Sequence, residues 1–170
     1  MPVLRRLFAG LVLAALLAGP AEARLDAGRP ACDYCRMLIT EQAFGVTATL
    51  KGGSTRIYDA IECAAAAVLT DSLPARRLRT LTFVDHDAPH RPLPLARTVF
   101  LHCPSLESPM GQSLFALASR PRAAATAAAY DHTVLDWRGV LLRVNQAWFQ
   151  GQQPMARALA WPPPASPGAR

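Results

Sequence analysis

Apolar and polar residues alternate from Phe44 to Leu50, the period-two pattern of a strand with one buried face. Ser54–Tyr58 is placed to pair with it across Lys51-Gly52-Gly53, a glycine turn that predicts a hairpin. The period then changes. Asp59 is a good N-cap residue, Glu62 three residues on completes an approximate capping box, and the apolar run Ala64–Leu69 predicts a helix ending before Pro74. Leu81–Val84 reads as a short buried strand ending at Asp85. The order is ββαβ.

A second, weaker echo of that order follows. Asp85–Pro94 reads as a polar, proline-rich connection and Thr98–His102 as a strand. Gly111–Ser119 and Arg122–Tyr130 read as helical, with Pro121 breaking or restarting the helix. Val134–Trp137 and Val140–Val144 read as closing strands. The expectation is an α+β fold of two small ββαβ modules with antiparallel sheets, spanning about residues 31–87 and 92–145 within a domain of 31–150. Residues 151–170, with the run Trp161-Pro162-Pro163-Pro164-Ala165-Ser166-Pro167-Gly168, predict a disordered tail.

The amino terminus follows a different logic. Arg5 and Arg6 precede an uncharged apolar run, Leu7–Ala18, that is too short for a span of about 20 residues. Ala21-Glu22-Ala23 supplies the small residues of a cleavage site. Residues 1–23 therefore read as a secretory signal cleaved before Arg24, with 24–30 as a Gly/Pro-punctuated leader and a periplasmic, soluble mature protein. Leu17-Ala18-Gly19 would open a lipoprotein box, but Pro20 stands where the lipidated cysteine belongs, so no lipid anchor is expected. Arg5-Arg6-Leu7-Phe8 is faintly like a twin-arginine signal.

The formal net charge is +6, and loss of Arg5, Arg6 and Glu22 with the signal lowers it to about +5. The arginines are scattered, apart from Arg76-Arg77-Leu78-Arg79, so the footprint of a nucleic-acid binder is missing. The sequence holds no His-Glu-x-x-His, Gly-x-Ser-x-Gly or phosphate loop, and it reads as a binding protein rather than an enzyme.

The densest chemical signal is Cys32-Asp33-Tyr34-Cys35-Arg36-Met37. On extended backbone, Cys35 and Met37 place a thiolate and a thioether on one face. Soft sulfur donors of that mixed kind select Cu(I), and zinc sites rarely use methionine. Cys32 is either a further ligand or the disulfide partner of Cys35. Met110, between Pro109 and Gly111, is a loop methionine placed to complete a trigonal Cu(I) site. His102 is a candidate auxiliary ligand; His86, His90 and His132 read as solvated loop or turn residues, and Cys63 as a small buried apolar group that Cys103 could pair with. Three bland readings stand beside copper: Met37 as a gap-filler, Cys32–Cys35 as a structural staple in a small binding domain, and the pair as a thiol-disulfide oxidoreductase motif.

Taken together, Cys32-x-x-Cys35-x-Met37, Tyr58-Asp59-Ala60-Ile61-Glu62-Cys63, Phe83-Val84-Asp85 and Pro109-Met110-Gly111 occur in an order that resembles the NosL family, copper chaperones of nitrous oxide reductase assembly. The resemblance covers roughly residues 31–137. It implies paired ββαβ modules, Cu(I) held by sulfur from Cys35, Met37 and Met110, and delivery to an apo-cuproenzyme, nitrous oxide reductase first among them, with help from a membrane transporter complex. The sequence departs from that pattern at Pro20, at Tyr58-Asp59-Ala60 in place of paired aspartates, at Asp131-His132 in place of paired glycines, and in the extra Cys103. None of these departures falls on Cys35, Met37 or Met110.

Overall fold

The computed structural model describes residues 30–128 and 130–160. The expected signal peptide, residues 24–29 of the leader, and the proline run of the tail lie outside the described residues.

Strand β1 (Val46–Leu50) pairs antiparallel with β2 (Thr55–Tyr58), Val46 opposite Tyr58, across the predicted Gly52-Gly53 turn. Gly53 takes a φ of +87°, which a side chain would resist, and its amide closes the turn on the Leu50 carbonyl at 2.9 Å. Helix α1 (Ile61–Leu69) follows, and all nine of its residues are buried. A helix apolar on every side must be enclosed, and its four consecutive alanines let neighbouring elements come close. Strand β3 (Leu78–Asp85) then returns to the far side of β1.

Strand β4 (Ala88–Pro94) completes a four-stranded antiparallel sheet of order β2-β1-β3-β4. This corrects the connection expected over Asp85–Pro94. Its three prolines withhold ladder donors and so confine it to the edge, where only Leu93 is buried. Fully buried Asp85 anchors the hairpin by accepting from Arg91 Nε at 2.9 Å.

The second module is also ββαβ, but built from other residues than expected. Strand β5 (Val99–His102) is central, flanked antiparallel by β6 (Leu114–Leu117) and β7 (Thr133–Leu135), with α2 (Arg120–Thr126) between those two in sequence. The helix expected over Gly111–Ser119 is thus strand β6. All four of its residues are buried, and such a short apolar run carries no periodicity that separates strand from helix. Pro121 opens α2 rather than interrupting a helix, and Ser119 Oγ caps it by accepting from Arg122 N at 3.4 Å.

The strand expected over Val140–Val144 is instead the middle of α3 (Trp137–Phe149). Trp137, Val140, Leu141 and Val144 recur at helical spacing and form its buried stripe, while Asp136 Oδ1 caps the start by accepting from Gly139 N at 2.8 Å. Beyond α3 the tail expected from 151 begins in order: α4 (Met155–Ala158) buries Ala158. Asn145 fixes that turn with a reciprocal pair of bonds to the Gln153 backbone, at 3.0 and 3.1 Å.

The modules share a core. Phe83 of β3 meets Phe100 of β5 edge-on, with centroids 4.9 Å apart, and Trp137 lies against both rings. His86 N donates to the Ala116 carbonyl at 2.9 Å, joining the two sheets through backbone. The His86 ring is packed edge-on against Phe115 at 4.8 Å, not solvated as its loop position suggested. No described helix is long and apolar enough to cross a membrane.

Candidate metal centre

The Cys32-x-x-Cys35 segment is a tight hairpin-like loop. Ala31 bridges to Leu38, Cys32 N donates to the Met37 carbonyl at 2.8 Å, and Arg36 N donates back to the Cys32 carbonyl at 3.0 Å. Arg36 closes the turn in the left-handed region, φ 67°, an unusual conformation for a residue with a long side chain. The extended backbone that was expected to align Cys35 with Met37 is therefore absent.

Asp33 fixes this loop to the first sheet. Its amide donates to the Ile57 carbonyl and its Oδ2 accepts from Ile57 N, both at 2.8 Å, while Oδ1 meets Arg56 at 3.2 Å. That clip sets the loop over the end of β2, where the chain turns into α1 and presents Asp59 and Cys63. The sulfurs of Cys32, Cys35 and Cys63 and a carboxylate oxygen of Asp59 then all lie within 4.8 Å of one another. A metal about 2.3 Å from each sulfur holds its donors at most about 4.6 Å apart, so the cluster is close to ligating size.

Burial grades the donors. Cys32 and Cys63 are fully buried and Asp59 nearly so, while Cys35 is half-buried and forms the mouth. Cys35 Sγ–H donates to Asp59 Oδ2 at 3.5 Å; Asp59 Oδ1, also buried, has no partner among the described residues. The hydrogen bond from the Cys63 thiol holds the Cys32 thiol at about 6, against its burial, with help from nearby backbone amides. The same bond, then burial and Asp59, pushes the Cys63 thiol far up. Burial pushes Cys35 up as well, partly offset by the Met37 amide. The Cys32 and Cys63 thiols thus share one hydrogen bond that favours ionisation of Cys32 over Cys63, and a metal that recruits the sulfurs must displace the protons they still hold.

The capping box expected from Asp59 and Glu62 is not formed. Ala60 is the N-cap and makes no side-chain bond. Asp59 belongs to the thiol cluster, and fully buried Glu62 turns away to accept from Ser108 Oγ at 2.8 Å and Gln112 N at 3.2 Å. Those bonds draw the Ser108–Gln112 loop, which carries Met110, onto the start of α1. Met110 is half-buried against the core that contains Cys32 and Cys63, and Met37, two residues after Cys35, is 55 % exposed. His102 lies on β5 opposite Leu114, is not one of the four gathered donors, and has its pKa lowered by burial and by Arg143. Cys103 is buried in a separate apolar cluster, with Phe44, Leu101 and Phe115, and all four cysteines are free thiols.

Sequence reasoning thus reached Cys32 and Cys35 but not Asp59 or Cys63. Asp59 precedes the extended N-cap Ala60, so helical spacing does not relate it to Cys63. The turn from β2 into α1 brings the two together, and in the sequence capping and burial each accounted for one of them.

No family model matches the sequence, and no curated protein matches it either. Among solved structures, the fold is similar to that of the copper chaperone NosL from Shewanella denitrificans, with a TM-score of 0.55 and 16 % identity over 63 % of this chain and 86 % of that one. The chain therefore has the NosL fold.

Proposed function

We propose that this protein is an exported Cu(I) metallochaperone, which holds copper as cargo and passes it to a periplasmic apo-cuproenzyme, nitrous oxide reductase being the expected client, with a membrane transporter complex assisting. The observation that carries this reading is the gathering of three cysteine sulfurs around one half-open mouth, on a fold shared with a copper chaperone. Thiolates select soft, thiophilic ions, and thioethers add to that preference for Cu(I) over zinc. Cys35 is the entry donor, Met37 and Met110 are the exchangeable thioethers, and the buried Cys32 and Cys63 sulfurs are the inner donors. Asp59 Oδ2 accepts the hydrogen bond of the Cys35 thiol and so orients this donor at the mouth.

The grading of exposure argues against a thiol-disulfide oxidoreductase. Such an enzyme needs its low-pKa thiol where a substrate can reach it. Here the lowered thiol, Cys32, is enclosed, and the reachable one, Cys35, is raised.

The test is an anaerobic Cu(I) competition titration of reduced residues 24–170 with Cys35→Ser, Met37→Leu and Met110→Leu alongside. One Cu(I) per chain, weakened by each substitution, is the expected result. Indifference to copper, or tighter retention of Zn(II) than of Cu(I) against a common chelator, would overturn the proposal.

A further inference from the structure

The geometry points to Glu62 as a positioning residue that holds the Met110 thioether at the copper mouth, an inference that rests on Met110 being a copper donor. Glu62 directly precedes Cys63 on α1, and successive helical side chains diverge by about 100°, so Glu62 cannot share the site that Cys63 faces. Its Oε1 instead gathers two donors from one short loop, Ser108 Oγ and Gln112 N. Ser108 Oγ in turn accepts from Ser113 N at 2.9 Å, and the Ser108 carbonyl accepts from Gly111 N at 3.0 Å. Two of these bonds span Met110, and the two to Glu62 fasten the loop on either side of it.

The turn needs that fastening. Gly111 and Ser113 both sit at positive φ, +73° and +53°, and for Ser113 that is an unfavourable conformation. A carboxylate with no exposed surface is also costly, and Glu62 Oε2 has no hydrogen-bond partner among the described residues. An apolar residue would satisfy the packing of α1 without that cost. What Glu62 supplies and an apolar residue does not is a fixed anchor for the Met110 loop, on the same helix that carries Cys63. One rigid element thereby sets the distance between a buried thiol and a loop thioether.

A double-mutant cycle tests this through Cu(I) affinity, with Glu62→Ala and Met110→Leu singly and together, Glu62→Gln as the conservative control, and melting temperature recorded for each. Expected are a loss of about tenfold for Glu62→Ala in the parent, about twofold or less in the Met110→Leu background, and near-parental affinity for Glu62→Gln, which keeps the acceptor oxygen. The Met110 methyl NMR signal should shift on Cu(I) addition in the parent and not in Glu62→Ala. Should Glu62→Ala fail to fold, Ser108→Ala, which removes the same hub from the loop side, is expected to show the same non-additivity. Equal losses in both backgrounds would overturn the positioning role while leaving Met110 a donor. Parental affinity in Met110→Leu alone would instead overturn the donor assignment on which the role depends.

Discussion

Across 24 residues of chain, the Cys35 thiol donates to Oδ2 of Asp59 at 3.5 Å, joining a half-buried loop donor to a carboxylate set just before α1. A carboxylate among three sulfurs raises the question of metal preference. Oxygen ligands contribute to Zn(II) sites, whereas Cu(I) gains little from them. Asp59→Asn should therefore cost Zn(II) about tenfold or more in affinity and leave Cu(I) within about threefold. Parallel chelator competitions with the two ions decide it, and an equal loss for both would mean that Asp59 acts only by its charge.

Cys35 and Cys63 should separate binding from folding. Cys35 is half-buried on a surface loop, so Cys35→Ser should leave the melting temperature nearly unchanged while lowering Cu(I) affinity about a hundredfold. Cys63 is fully buried inside α1, and Cys63→Ala should lower the affinity and also destabilise by about 1 kcal/mol, through the small cavity left. Thermal melts of the apo proteins beside titrations give both numbers. Parental affinity in Cys35→Ser would move the entry point elsewhere.

What the sequence disclosed and what it concealed follow from the range of the determining contact. Gly52-Gly53 and the run after Asp59 carry their own local chemistry, and the first hairpin and α1 were legible from it. Leu114–Leu117 has no such signature: it becomes a strand because β5 offers it a partner, Val99 opposite Leu117. In α3 the helical spacing of Trp137, Val140, Leu141 and Val144 was present, and the apolar cluster Val140–Val144 obscured it. The site divides the same way. Cys32 and Cys35 are neighbours in sequence and stood out, but Cys63 meets them only because Asp33 clips their loop to Ile57, a contact 24 residues long. The Cys-x-Met alignment failed locally, at the left-handed Arg36.

The joint between modules is the most consequential packing in the fold. Phe83 and Phe100 are both fully buried, and Trp137 closes the group at 5.6 and 5.8 Å. Phe83→Ala removes one of these three mutually packed rings and should destabilise by about 3–5 kcal/mol, whereas Phe83→Leu should cost about 1–2 kcal/mol. Denaturant titration measures both. Because Phe83 is not one of the four gathered donors, the Leu variant should bind Cu(I) as the parent does, and a matching loss of affinity would show that the inter-module joint shapes the site.

His102 gives the fold a pH dependence with a definite sign. Its pKa is lowered from 6.5, first by burial and then by the positive charge of Arg143. In the unfolded chain the ring titrates near 6.5, so as pH falls through that value the unfolded state takes up a proton that the folded state resists. The stability associated with neutral His102 is therefore complete above about pH 6.5 and is lost as pH falls toward the lowered folded value. Denaturant midpoints between pH 8 and pH 5 should decline more steeply in the parent than in His102→Gln. Arg143→Met, which removes the second cause, should give an intermediate slope. The same variants decide whether His102 is a copper ligand: it lies outside the group formed by Cys32, Cys35, Asp59 and Cys63, so His102→Gln should bind Cu(I) with parental affinity at pH 7.5. Parallel pH slopes would dismiss the buried-base account, and a weakened Cu(I) complex would bring His102 into the site.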